Sequence, residues 1–268
     1  MDRADADPLQ AIRSRIDAID EEMHRLLIDR SGVIAELIRI KGTSRPATAF
    51  RPDREADMMR RMVMRHEGEL PLVTVEHIWR EIITTFTAMQ APFGIAAGPA
   101  ADPLVMRDLI RFYFGFSIPV TDCTSSAAAI ERVTDPGSDI AVIAAETGGR
   151  WWAALTGPQR PKIFASLPFI DIPARPAELP AYVIGLPLGE NSPPDIRVYA
   201  IPDRGSVETA ILSHGGRIAA RAEGELLAEL PLSISPDDLA DQMSEPAGQA
   251  TLVGGFAQPI RYVAPRTS

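Results

Sequence analysis

Residues 7–41 read DPLQAIRSRIDAIDEEMHRLLIDRSGVIAELIRIK, and this stretch decides how the first part of the chain folds. Its apolar side chains recur every three or four residues, the period of one helical face; they are Leu9, Ile12, Ile16, Ile19, Met23, Leu26, Leu27, Ile34 and Leu37. No proline follows Pro8, which stands where a first-turn proline is tolerated. The pattern predicts one helix of roughly 50 Å at about 1.5 Å per residue. Because so long a helix cannot bury its apolar face alone, we expect it to pack against partner helices.

The cations on the polar side of this helix include Arg13, Arg30 and Lys41. Arg30 and Lys41 are eleven residues apart, about three turns, so they lie on nearly the same face roughly 16 Å apart. The two side chains can converge on one small anion between them. Arg13 lies roughly 40 Å along the axis from Lys41, so only an antiparallel second copy of the helix brings it to that anion, as in an isologous dimer. The alternative is that all three are solvated surface cations.

Two further helices are predicted before residue 91. Gly42, Pro46 and Pro52 mark a loop, and Pro52 begins a helix with Asp53 and Glu55 in its first turn. A third helix is predicted from about Pro71 through Gln90, with an apolar face made of Val75, Ile78, Trp79, Ile82, Ile83 and Phe86.

This order of elements and residues resembles the all-helical chorismate mutases found at the amino end of bifunctional chorismate mutase–prephenate dehydratases. The resemblance covers about the first ninety residues. It rests on the matched positions Leu-x-x-Ile-Arg13-x-x-Ile-Asp-x-Ile-Asp, Leu-Leu-Ile-Asp-Arg30, Lys41, Asp53-Arg54-Glu55 and Gln90.

The resemblance implies a fold and a site. The fold is a three-helix domain that forms an antiparallel dimer through its long helix. Arg13 from the partner subunit and Arg30 would hold the two carboxylates of chorismate, and Lys41 and Gln90 would donate to the breaking ether oxygen. Glu55 would accept from the ring hydroxyl, and Arg54 would support that carboxylate or the substrate. The reaction is an intramolecular rearrangement, catalysed by orientation and preorganised charge, so neither a cofactor nor a metal is implied.

Two positions depart from the family pattern. The family commonly has an acidic residue three positions before the Arg-Glu pair, where this chain has Arg51. It commonly has a small residue four before the glutamine, where this chain has Phe86. The phenyl ring of Phe86 is expected to narrow the substrate pocket or to shift the substrate.

Composition narrows the functional classes. The formal net charge is −9, which argues against nucleic acid as a main partner. Cys123 is the single cysteine, and the four histidines are scattered, so neither an intrachain disulfide nor a metal site is expected. With neither a secretory signal nor an apolar run near the ~20 residues that span a bilayer, we expect a cytoplasmic protein without membrane contact.

The composition changes at Ala91-Pro92, since 20 of the 24 prolines lie from Pro92 onward. We place a domain boundary there and expect a helical domain at residues 1–91, an α/β lobe at 92–190 and an α+β segment with a tail at 191–268.

The run TSSAAAIERV (124–133) with DIAVIAAETGG (139–149) is similar to a lobe of prephenate dehydratases. Only about one of that family's two lobes fits here. Where its Thr-Arg-Phe motif should fall, this chain reads Leu179-Pro180-Ala181-Tyr182-Val183, so we expect no dehydratase chemistry.

Residues 195–256 predict a strand–helix–strand–strand–helix–strand order, the ferredoxin-like pattern. Its position is similar to that of the regulatory ACT domain in the bifunctional enzymes. The family's Gly-Ala-Leu and Glu-Ser-Arg-Pro amino-acid-binding motifs are not matched, so feedback control by phenylalanine is not expected.

The sequence therefore predicts a chorismate mutase of aromatic amino-acid biosynthesis, an isomerase that turns chorismate into prephenate. One alternative is a bifunctional enzyme that also dehydrates prephenate. Others are a non-enzymatic sensor of a small acid and a lyase acting on isochorismate on the same scaffold.

Overall fold

A computed structural model gives the fold of this chain and describes residues 8–41, 50–133, 139–173, 175–187, 193–240 and 250–262. The chain divides into two compact units, Met1–Ser44 and Arg45–Ser268.

The first unit contains one long helix, α1 (Pro8–Lys41), within one residue of the predicted start. Ion pairs run along its polar side, where Arg25 contacts Glu22 at 2.6 Å and Asp29 at 3.0 Å. The predicted apolar stripe is present but not covered in the single chain, where its side chains from Leu9 to Leu27 are 40–57% exposed. The helix therefore presents an apolar face that the single chain leaves in contact with solvent.

The second unit begins with two helices, α2 (Pro52–Arg65) and α3 (Leu72–Gln90). Pro52 opens α2 as expected, with Asp53 and Glu55 in the first turn, where the helix dipole favours carboxylates. Further helices follow: α4 (Pro103–Phe114), α5 (Ser126–Arg132), a 3₁₀ helix (Trp151–Leu155), α6 (Val207–Ser213) and α7 (Pro236–Ala240).

Among the described residues, nine strands form one continuous sheet. They are β1 (Gly94–Ala97), β2 (Val120–Asp122), β3 (Asp139–Ala144), β4 (Lys162–Leu167), β6 (Ala181–Gly185), β7 (Ile196–Pro202), β8 (Arg217–Ala222), β9 (Glu225–Pro231) and β10 (Thr251–Phe256). Two short strands, β5 (Ile170–Asp171) and β11 (Ile260–Arg261), pair separately.

The order across the sheet is β2-β1-β3-β6-β4-β10-β7-β9-β8. Strands β2, β1 and β3 run parallel, as strand–helix–strand units require. Strand β6 is antiparallel to both of its neighbours. The order β10-β7-β9-β8 is antiparallel throughout, which matches the predicted βαββαβ unit. That this ferredoxin-like unit is an ACT domain stays a prediction.

The helices α2 and α3 share a hydrophobic core with the sheet. Met59, Met62 and Leu72 of the helices belong to the same buried cluster as Ile95 and Val142 of the strands. The most compact division of the chain thus falls at residues 44/45, and it differs from the boundary expected at residues 91/92. The change in proline content at residue 92 marks the start of the strands, whereas the packing of α2 and α3 continues across it.

The predicted fold class, a helical region followed by an α/β region, is confirmed. Among the described helices, none is long and apolar enough to cross a bilayer. The described residues also contain no cluster of three His, Cys, Asp or Glu side chains suited to a metal ion.

Candidate functional site

The residues predicted to bind chorismate are divided between the two units. Arg13, Arg30 and Lys41 lie on α1, and the side chain of Lys41 lies outside what the structure describes. The other predicted residues, Arg54, Glu55, Phe86 and Gln90, lie on α2 and α3. Their convergence on one site stays a prediction.

Glu55 lies in the first turn of α2, where its backbone N–H donates to the Arg51 carbonyl at 2.9 Å. Its Oε2 lies 3.7 Å from Nη1 of Arg80 on α3. Burial raises the pKa of the Glu55 carboxyl, and the positive charge of Arg80 opposes that shift only in part. Its neighbour Arg54 is exposed. Glu55 is thus a half-buried carboxyl group held beside one cation.

Phe86 and Gln90 stand one helical turn apart on α3. Phe86 is buried, and Nε2 of Gln90 donates to the Phe86 carbonyl at 3.0 Å. This bond uses one of the two amide N–H groups of Gln90 and leaves the other for a ligand. The phenyl ring of Phe86 is thus part of the core of the second unit.

Sequence reasoning missed a buried cluster of charges behind Glu55. Glu76 has no exposed surface and Arg175 has 5%, and their side chains approach to 3.4 Å (Oε2 to Nη2). Arg80 lies one turn beyond Glu76, at 4.0 Å from Nε to Oε1. Arg175 also donates to the Ile170 carbonyl. Burial raises the pKa of the Glu76 carboxyl, against the attraction of both arginines.

A signal for this cluster was present in the sequence. The buried positions of α3 include Leu72, Glu76, Arg80, Thr84 and Thr87, which recur every three or four residues like an apolar face. Two charged residues on such a face indicate a buried ion pair, since an unpaired buried charge is costly. The partner Arg175 was not predictable, because it lies in an irregular proline-containing segment nearly a hundred residues later.

A cavity of about 70 Å³ adjoins Glu55 and Arg80. Its walls are mostly aromatic and aliphatic, and they include Phe50, Phe93, Tyr113, Phe164 and Phe169. The polar groups on its surface are Glu55, Arg80, Thr84, Thr87, Tyr113 and Ser166. One buried cation in a largely apolar enclosure gives this cavity the composition of a small-ligand site.

A second, open cleft of about 680 Å³ lies between α2 and strands β4 and β10. Three of its charged residues contact other groups of the cleft or of its rim. Arg60 pairs with Asp195 at 2.6 Å, and Nζ of Lys162 donates to the carbonyls of Leu155, Gly157 and Leu252. The cleft is therefore held together by its own polar contacts.

The positions compared with a dehydratase have structural roles. Ser125 caps α5, with its Oγ accepting from the Ala128 N–H at 3.1 Å. Cys123 is half-buried, and its Sγ lies 3.7 Å from the Thr121 carbonyl. Tyr182 is buried, and its hydroxyl donates to Glu229. The segment that replaces the family's Thr-Arg-Phe motif thus forms part of the core strand β6.

The chain is similar to known proteins in its sequence and, separately, in its structure. Residues 12–91 match the family model of type II chorismate mutases. The chain is 31% identical over 97 residues to a bifunctional chorismate mutase/prephenate dehydratase of Pseudomonas aeruginosa, covering 35% of this chain and 27% of that protein. It is 27% identical over 143 residues to the protein of the same name from Aquifex aeolicus, covering 52% of this chain and 39% of that one.

The chain therefore spans only about a quarter to two-fifths of the length of these curated relatives. Among solved structures, it is similar to a prephenate dehydratase of Arthrobacter aurescens in complex with L-Phe. The TM-score is 0.41 at 13% identity, covering 66% of this chain and 94% of that one.

Proposed function

We propose that this chain, which carries a type II chorismate mutase domain at residues 12–91, converts chorismate into prephenate. The observation that carries the proposal is the extent of that match. All seven residues predicted to bind the substrate, from Arg13 to Gln90, lie inside the matched segment. Dimerisation alone does not require this set of cations and hydrogen-bond donors.

The proposed mechanism uses orientation and charge. Arg30 and an Arg13 from a second copy hold the two carboxylates by planar, bidentate hydrogen bonds. Lys41 and the free N–H of Gln90 donate to the ether oxygen, where negative charge develops as the bond breaks. Glu55 accepts from the ring hydroxyl. The reaction breaks a carbon–oxygen bond and forms a carbon–carbon bond in one molecule, so it needs no nucleophile.

The proposed dimer forms through α1, with two copies antiparallel. The exposed apolar stripe on this helix supports it, because the side chains from Leu9 to Leu27 are 40–57% exposed in the single chain. An antiparallel partner covers this stripe and brings Arg13 close to the Arg30 and Lys41 of the other copy.

A second candidate is a bifunctional enzyme that also dehydrates prephenate, and the comparisons favour it over a mutase alone. The matched relatives bear that double name. An alignment of 143 residues cannot fit within residues 1–91, so the similarity continues into the α/β region. The lack of the family's Thr-Arg-Phe motif, where this chain reads Leu179-Pro180-Ala181-Tyr182-Val183, argues against the second activity.

The test is to incubate the full chain with chorismate and to measure prephenate and phenylpyruvate separately, before any acid treatment. Prephenate alone supports the mutase, and phenylpyruvate in addition supports the bifunctional enzyme. Arg30→Ala should reduce turnover at least a hundredfold, because it removes a charge-assisted contact to the substrate. Arg25→Ala is the matched control on the same helix, since Arg25 contacts Glu22 and Asp29. Failure of the wild-type chain to consume chorismate contradicts the proposal.

A further inference from the structure

The buried guanidinium of Arg80 lies beside a cavity and has unused hydrogen-bond donors. Arg80 is 9% exposed, and its Nε is buried without a hydrogen-bond partner. Its distances to Glu55 (3.7 Å) and Glu76 (4.0 Å) are longer than hydrogen bonds. Because a buried donor without an acceptor costs about 1–3 kcal/mol, this arrangement favours an acceptor in the adjoining cavity. We propose that the cavity lined by Arg80 binds a short-chain monocarboxylate, a ligand class beyond the proposed mutase reaction.

Two aromatic rings stabilise the charge of Arg80. The guanidinium carbon lies 5.1 Å from the centroid of the Tyr113 ring and 5.7 Å from that of Phe169. Rings in this range attract a cation placed over their face. The N–H groups lie in the plane of the guanidinium, and a planar carboxylate matches two of them at once. The geometry therefore favours a carboxylate over a spherical anion such as chloride.

A second arginine shares the negative charge of Glu76 with Arg80. Arg175 approaches Glu76 to 3.4 Å, against 4.0 Å for Arg80, and both arginines attract the carboxylate. Glu55 lines the cavity with Arg80. Burial raises the pKa of its carboxyl, so lowering the pH removes the charge on Glu55 that would repel a bound carboxylate.

The size of the cavity limits the ligand. Its volume of about 70 Å³ is roughly half that of an engineered protein cavity of about 150 Å³ that takes up benzene. A six-membered ring does not fit without rearrangement of the walls, so chorismate and prephenate are excluded. A carboxylate with one or two further carbons fits, with its methyl end against the aromatic walls and its oxygens on Arg80 and the hydroxyls of Thr87 and Ser166.

The experiment is a titration of the full chain with acetate, propionate and benzoate at constant ionic strength, followed by calorimetry and by saturation-transfer NMR of the ligand. Chorismate is absent, so the outcome is independent of the mutase activity. We expect saturable binding of acetate and propionate, and at least roughly tenfold weaker binding of benzoate. Sodium chloride at the same ionic strength should not compete.

Two variants test the site by different routes. Arg80→Lys keeps the charge but loses the planar pair of donors, so acetate should bind at least roughly tenfold more weakly. Thr87→Leu keeps Arg80 and fills the cavity with apolar bulk, and it should abolish binding. Arg107→Gln is the control, since Arg107 is an exposed residue paired with Asp122 at 3.5 Å. Circular dichroism verifies that each variant is folded.

The proposal is overturned if acetate does not bind the wild-type chain saturably, in which case the cavity holds only water. It is also overturned if the folded Thr87→Leu chain binds acetate as the wild type does. Because Thr87→Leu leaves the ion pairs of Arg80 in place, this outcome remains decisive even if Arg80→Lys fails to fold.

Discussion

At the scale of single residues, Glu76 is the most deeply buried charged side chain among the described residues. It has no exposed surface, and Arg175 is its closest cation at 3.4 Å. The attraction within such a pair roughly offsets the cost of removing both groups from water, but one charge left alone is strongly destabilising. The pair therefore adds little net stability. Its main effect is to hold the segment that contains Arg175 against α3.

Glu76→Leu should lower the free energy of unfolding by about 3–5 kcal/mol, because it leaves Arg175 buried without a counter-charge. The double variant Glu76→Leu/Arg175→Met should recover a large part of that loss. Urea unfolding followed by tryptophan fluorescence measures both. The control is Asp57→Asn, which removes an exposed ion pair with Arg61 and should cost less than about 1 kcal/mol. A double variant less stable than Glu76→Leu would contradict this account.

Glu55 connects the electrostatics of the second unit with the proposed reaction. Burial raises the pKa of its carboxyl above the ordinary glutamate value, and the proposed role requires the ionised form. The mutase rate should therefore fall as the pH decreases through this raised pKa, that is, at a higher pH than an ordinary glutamate would give. A pH profile of kcat/KM measures the acidic limb.

Glu55→Gln should lower the rate and remove that limb, because glutamine does not titrate. Glu67→Gln, at an exposed position outside the predicted site, should leave the profile unchanged. An acidic limb that persists at the same pH in Glu55→Gln assigns it to another group.

At the scale of elements, strand β10 joins the two halves of the sheet. It runs antiparallel to β7 and parallel to β4, which it meets at the pair Gly254 and Ile163. A Cβ on Gly254 would collide with the backbone of Ile163. The close approach of the two strands therefore requires glycine at this position.

Gly254→Ala should destabilise the chain by about 2 kcal/mol or more, since overpacking at a rigid backbone contact costs 1–3 kcal/mol. Gly148→Ala is the matched control, because no atom lies within 4 Å of the Cβ it would add. Thermal unfolding of the two variants makes the comparison. Equal stability of the two would mean that β4 and β10 separate without cost.

Helix α1 gives the second prediction at this scale. Ile19→Lys places a charge in the exposed apolar stripe and should weaken the proposed dimer more than a hundredfold, because each of two symmetry-related isoleucines contributes about 1.5–3 kcal/mol when buried. Sedimentation velocity measures the dissociation constant. Glu21→Lys changes charge on the opposite side of the helix and should leave association unaffected. An unchanged dimer in Ile19→Lys would place the interface elsewhere.

Elements formed by interactions between residues close in sequence were predicted, and elements that depend on residues distant in sequence were not. Helix α1 was predicted to within one residue, because a period of three and four residues and a single proline determine it locally. The ferredoxin-like strand order followed from local patterns too. Strand β4 and its parallel contact with β10 were missed, since Lys162–Leu167 has no regular alternation and its partner is ninety residues away. For the same reason Glu55 was predicted from a local motif, but not its neighbour Arg80.

At the scale of the whole molecule, α2 and α3 lie within the segment that matches the type II chorismate mutase model, but they pack against the α/β region. Their buried side chains, among them Met59, Met62 and Leu72, share one core with the strands. Glu76 of α3 finds its counter-charge at Arg175, beyond the predicted domain boundary. Helices α2 and α3 are thus expected to unfold together with the sheet.

This arrangement predicts how truncated chains behave. A fragment of residues 1–91 loses the strands that cover α2 and α3 and leaves Glu76 without Arg175, so it should be less helical and unfold at a lower temperature than the full chain. A fragment of residues 45–268 keeps the whole compact unit and should retain the near-ultraviolet circular dichroism of its tryptophans. Circular dichroism and size-exclusion chromatography of both fragments measure this. A stable, fully helical 1–91 fragment together with an unfolded 45–268 fragment would show that α2 and α3 depend on α1 rather than on the sheet.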